Sequence, residues 1–194
     1  MIGGRLMYQE LKRKVIEEKP SYSQKELQWL LEHLGDSSPE IRDELVFTSL
    51  ARGIQEELFT KEQFQFISAM IVSDGGLDKE LDKLGTSTLE RSFRALIYAN
   101  LLSADGNQHS IFYQVLKTDI RNTMLDQGLY YLEKEEDTTG FSSQYSWVHA
   151  FAHGADLLTE VVCHPDFSAS RIYEVFEILA PMFKRISIRF IDDE

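Results

Sequence analysis

The sequence predicts an all-α fold, and three observations carry that prediction. Apolar residues recur at helical spacing almost throughout, strict apolar/polar alternation bounded by turn residues is missing, and Ser, Pro and Gly punctuate the periodic segments at short intervals. Met7 to Glu18 reads as a charged helix, closed by Pro20, with Ser21 and Ser23 capping the next from about Gln24 to Leu34. Gly35 ends that helix. Asp36-Ser37-Ser38-Pro39-Glu40 then supplies a cap, a proline for the first turn and an acid at the positive helix end.

Ile41 to about Leu58 carries two apolar stripes, Ile41/Leu45/Thr48 and Val46/Leu50/Ile54, which predicts a central helix covered on more than one side. Thr60 opens a helix through Val72. Gly75, Gly76 and Gly85 mark Ser73 to Thr86 as the longest loop. Ser87 to Ala104 sets Leu89, Phe93, Leu96, Ile97, Asn100 and Leu101 on one face, and Asp105-Gly106-Asn107 stops it. Ile111 to about Glu133 reads as one long helix or two joined near Gly128, with Phe112, Leu116, Ile120 and Met124 on one stripe and Leu125, Leu129 and Leu132 on another. After a polar loop, Glu135 to Phe141, a helix opens at Ser142 or Ser143 and ends at Cys163, before His164-Pro165. The last helix carries Ile172, Val175, Phe176, Leu179, Ala180 and Phe183, and Pro181 is placed to kink or divide it.

About seven or eight helices joined by short connections predict a single all-helical unit over 1–194, built as an α-α superhelix of HEAT-like stacked hairpins. The stretch Asp36-Ser-Ser-Pro-Glu-Ile-Arg42-Asp-Glu-Leu45 resembles the turn of HEAT repeats, in which an Asp and a Pro shape the turn and an Arg one turn into the second helix braces it. The sequence holds one such copy, and an ordinary capped hairpin is the other reading.

Composition narrows the function. The 194 residues hold 20 Lys plus Arg against 32 Asp plus Glu, a net charge of −12, which repels polyphosphates and anionic lipid. No apolar run approaches the ~20 residues of a membrane span. The start, MIGGRLMYQELKRK, lacks the features of a secretory signal, and the one cysteine, Cys163, fits a reducing cytoplasm. These features point to a cytoplasmic protein that binds neither nucleic acid in general nor membranes.

The run Ser146-Trp147-Val148-His149-Ala150-Phe151-Ala152-His153-Gly154-Ala155-Asp156 holds the chemistry. His149, His153 and Asp156 stand at i, i+4 and i+7, so one helix would set two imidazoles and a carboxylate on one face, a donor set for a divalent metal, with Asp137, Glu136 or Glu135 as a fourth ligand. HAFAH lacks the glutamate of HExxH, and Gly154 departs from a His-Asp doublet. The alternatives are a non-metal pocket floored by Trp147, with Arg91 or Arg94 and Glu90 on the facing helix, and polar packing within the core. Asp43 and Glu44 beside Arg42 read as surface ion pairs, Cys163–His164 as an unlikely nucleophile pair because adjacent helical residues diverge, and Lys184/Arg185/Arg189 as a small surface basic patch.

Several runs, in order along the chain, resemble the bacterial family called domain of unknown function 2785. They are Ser38-Pro-Glu-Ile-Arg-Asp-Glu-Leu45, Arg91-Ser-Phe-Arg-Ala-Leu-Ile97, Glu135-Glu-Asp-Thr-Thr-Gly-Phe141 and Trp147-Val-His-Ala-Phe-Ala-His-Gly-Ala-Asp156. The resemblance implies an all-helical fold and no agreed activity. This chain departs from the family pattern at Thr139, where an Arg is expected, at Phe141 in place of Tyr, and at Ser146 in place of the Gly that precedes the Trp. The missing Arg removes one group that could hold an anion. The resemblance further implies relatives that continue past Asp192-Asp193-Glu194 into another helix, which makes this chain either a short or a truncated form.

The expectation is a cytoplasmic helical-repeat binding or scaffold module, more a binder than an enzyme, with Trp147, His149, His153, Asp156, Asp137 and Arg91 around a polar cleft for an unknown protein or small-molecule ligand. A metal-dependent hydrolase using His149, His153 and Asp156 with a divalent metal is the alternative. A structural subunit that buries an apolar face against another chain is the third.

Overall fold

The computed structural model describes residues 2–186 and holds, among them, eight α-helices. They are α1 (Ile2–Lys14), α2 (Gln24–Glu32), α3 (Thr48–Gln55), α4 (Lys61–Val72), α5 (Thr86–Gly106), α6 (Thr118–Lys134), α7 (Ala150–Cys163) and α8 (Ile172–Ile186). The all-α prediction holds, with one two-stranded exception described below. Arg185 as a side chain, and Arg189 and the acidic end Asp192–Glu194 altogether, lie outside the described residues.

Local chemistry sets the helix starts. Ser23 accepts from the Glu26 amide while the Glu26 carboxylate returns to the Ser23 amide, and Thr60 and Gln63 repeat the arrangement, so α2 and α4 each begin on a capping box. Between α2 and α3 the Asp36 carboxylate accepts from the Ser38 amide, and Arg42 Nη1 reaches back 2.9 Å to the Asp36 carbonyl, bracing the turn. From Glu40 to Phe47 the chain is a π-helix running directly into α3, which widens the backbone where Arg42 enters the interior.

One contiguous core links Leu11 of α1 to Met182 of α8. Its axis is α5, 21 residues long, with Leu89, Phe93, Ile97 and Leu101 buried as their spacing predicts. α7 packs along α5 most extensively, and α3, α4 and α6 complete its surroundings. Gly128 and Gly154 let α6 and α7 close together. A Cβ at Gly128 would lie 2.7 Å from Val161, and one at Gly154 would lie 2.5 Å from Leu132. Gly128 is therefore a contact point inside a continuous α6, and no helix break occurs there. Gly35 likewise marks close approach to Glu90 of α5; α2 has already ended at Glu32. Pro181 lies within α8, which it leaves undivided. No helix among the described residues is long and apolar enough to cross a membrane.

Two segments differ from the helices expected of them. Residues 107–117 are turns, and α6 starts only at Thr118. The Asp105 carboxylate and carbonyl capture the amides of Leu116 (2.7 Å) and Gln114 (2.9 Å), and Glu57 takes the Ile111 amide, so those N–H groups are drawn away from a helical ladder. Phe112 and Leu116 are buried nonetheless. Residues 141–147, where a helix start was expected, form a small antiparallel hairpin in which Phe141 pairs with Trp147 and Ser142 with Ser146.

Candidate functional site

The hairpin carries its exposed aromatics because its backbone is held from beneath. Arg42 is fully buried, correcting the surface ion-pair expectation. Its Nη2 donates to the carbonyls of Tyr145 (2.9 Å) and Trp147 (3.3 Å), its Nε lies 2.8 Å from Asp43 Oδ1, and its guanidinium covers the Phe93 ring at 5.0 Å. Ser92, buried on α5, donates to the Val148 carbonyl at 2.6 Å, and the Gly140 carbonyl accepts from the Val148 amide. Held in this way, the chain turns through the left-handed region at Ser146 (φ 63°) and again at His149 (φ 49°). Backbone of that kind persists only where its surroundings enforce it.

His149 therefore caps α7 from outside the helix, while His153 sits in its first turn. The one-face arrangement read from i, i+4, i+7 does not describe His149. The hairpin turn nevertheless returns its ring to the site. Trp147 stacks on His149 with ring centroids 4.6 Å apart, His149 and His153 are 5.9 Å apart, and His153 meets the edge of Phe93 at 5.2 Å. Phe141 completes the row against Trp147 at 5.0 Å. Rings thus run from the exposed Phe141 and Trp147 down to the buried Phe93.

Hydrogen bonding fixes the state of His153. Since the Ser92 hydroxyl proton goes to the Val148 carbonyl, the Ser92 oxygen accepts from His153 Nδ1–H at 2.8 Å, which leaves the lone pair on Nε2. Burial lowers the His153 pKa to about 4, with the neighbouring His149 and Arg42 acting in the same direction, so the His153 ring is neutral at pH 7. The same bonding excludes Ser92 as a nucleophile, because it is buried and its proton is committed to an amide carbonyl. Asp43 faces this cluster. Burial raises its pKa against the opposing influence of Arg42, and His149 is near enough to act on its charge.

The other predicted residues lie elsewhere. Arg91 is buried and spends all five N–H groups internally: on both oxygens of Glu135 (2.8 and 3.0 Å), on the carbonyls of Glu80 and Lys83, and on Thr88 Oγ1. It fastens the start of α5 to the end of α6. Asp137 accepts from Thr88 at 2.8 Å, beside this fastening. Glu135 also accepts from the Glu136 and Asp137 amides, and Glu136 is exposed. Glu90 pairs with Arg94 at 2.6 Å. Asp156 is exposed and opens onto a separate cleft of about 340 Å³ with Phe47, Gln55, Asn100 and Glu160. Among the described residues no three His, Cys, Asp or Glu side chains are grouped to hold a metal ion. Cys163 is exposed, whereas His164 is buried with its Nε2 3.3 Å from Asp105, itself paired with Arg121.

Residues 80–194, more than half of the chain, match the model of a family described as a protein of unknown function (DUF2785). The chain belongs to this family. No curated protein and no solved structure matches it. The family span contains Ser92, Phe93, the hairpin and both histidines, while Arg42 and Asp43 come from outside it. Sequence reasoning places Arg42 as the brace of its own turn, which the structure bears out, and misses its second role beneath the hairpin. The runs Ser38–Leu45 and Arg91–Ile97 carry the resemblance and so hold a signal, but charge beside charge near a helix start reads as solvent-facing.

Proposed function

We propose that this member of the DUF2785 family is a cytoplasmic helical binding module whose ligand seats against Phe141, Trp147, His149 and His153. The supporting observation is the pinned ring cluster itself: two exposed aromatics continuous with two imidazoles, on strained backbone held by buried Arg42 and Ser92. A rigid backing of this kind presents side chains in fixed geometry and lowers the entropy lost on binding. Phe141 and Trp147 stand nearly perpendicular at 76° and offer a corner to a planar or apolar group. The Nε2 lone pair of neutral His153 accepts a hydrogen bond from the same ligand. A nucleophile within the cluster is wanting, which favours binding over catalysis.

Trp29→Phe leaves Trp147 as the only tryptophan, and its emission then reports the site. Titrating that variant with nucleosides, amino acids and monosaccharides should reveal one class that shifts the emission, with the response lost in His153→Ala. Uniform silence across all three classes would refute a small-molecule site. The hydrolase alternative makes a different prediction: zinc or manganese would bind stoichiometrically to tag-free protein and dissociate on His149→Ala.

A further inference from the structure

The last helix leaves a second surface uncovered, far in character from the polar ligand site. Between α7 and α8 runs a groove of about 620 Å³ walled by Leu132, Phe151, Leu158, Val162, Leu179 and Met182. Val175, Ile178 and Met182 turn inward from α8, while Tyr173, Phe176 and Phe183 stand 77%, 63% and 62% exposed along its outer side. At ~150–250 Å² per aromatic side chain, these three leave on the order of 400 Å² uncovered. Apolar surface of that extent on one helix, beside an apolar groove, is the mark of an interface.

We propose that this surface pairs with a second copy of the same chain, α8 against α8, in an isologous dimer. Helical periodicity puts Ala180 at the middle of the exposed stripe, where its small side chain permits close approach, and the aromatics stand on either side of it along the helix. An antiparallel pair crossing at Ala180 sets Phe176 beside Phe183 of the second copy, twice by symmetry, at the rim of each groove. The stripe is thus complementary to itself in shape. Two copies contribute about 800 Å² from the six aromatics alone, and the groove walls with exposed Ala152 and Ala155 of α7 extend this toward the ~1,200–2,000 Å² of stable interfaces.

Sedimentation equilibrium of the 194-residue chain tests this directly. The wild type should dimerise, and Phe176→Asp and Phe183→Asp should each weaken dimerisation by tenfold or more while leaving the circular dichroism unchanged, because both side chains are exposed in the monomer. A wild-type chain that stays monomeric into the high micromolar range overturns the proposal, as does a dimer indifferent to both aspartates. None of these outcomes depends on the ligand site.

Discussion

Replacing Arg91 with Met would strip the buried Glu135 of the partner that balances it. Such a loss costs about 3–5 kcal/mol, because a carboxylate is left uncompensated in the interior. Urea denaturation of Arg91→Met should show a loss of that size, and Arg91→Met/Glu135→Gln should recover much of it. His153 makes stability depend on pH. Its folded pKa of about 4 lies below the ordinary 6.5, so between those values the unfolded chain binds more protons and stability rises with pH. As the pH falls from 6.5 toward 4, folding should lose up to about 3 kcal/mol, and His153→Gln should flatten that slope. A chemical-denaturation series at fixed pH steps measures both. The sequence marked His153 as unusual but offered no means of knowing its tautomer, which is set by Ser92, 61 positions away.

At the scale of elements, hairpin and helix contacts make opposite demands on glycine. Ser146 occupies left-handed backbone at φ 63°, a conformation that glycine adopts without a Cβ penalty. Ser146→Gly should relieve the strain and raise stability by as much as about 1 kcal/mol, less whatever glycine adds to unfolded-state freedom. Gly154→Ala should do the reverse. Its added methyl meets Leu132 and Tyr131 across the α6–α7 contact, and thermal melts should show a loss of about 1–3 kcal/mol. Caps were easier to read than these. Ser23 and Thr60 each act within four residues, so sequence displayed both partners of the bond. The turns at 107–117 and the hairpin at 141–147 were misread as helix because the groups that divert their backbones, Asp105, Glu57, Arg42 and Ser92, come from other segments.

For the whole molecule, the acidic surface and the apolar α8 stripe divide the work. A charge of −12 keeps copies apart in general, so association must occur where apolar burial outweighs repulsion. Salt should then tighten the proposed α8 dimer by screening the net charge. Cys163 provides an independent probe, since it is exposed on the groove wall. Alkylation of Cys163 should slow as wild-type concentration rises and remain constant in Phe183→Asp. By itself the sequence determined the all-α class, most helix positions, the core stripes and the two histidines, because helix formation and amphipathic burial are encoded within a few turns of chain. Tertiary structure alone decided that Arg91 is a fastening, that Asp156 opens onto a different cleft, and that buried Arg42 and half-buried Asp43 back the histidines. Those outcomes depend on which distant carbonyls and carboxylates a guanidinium meets once helices pack, and spacing along the chain carries no information about that.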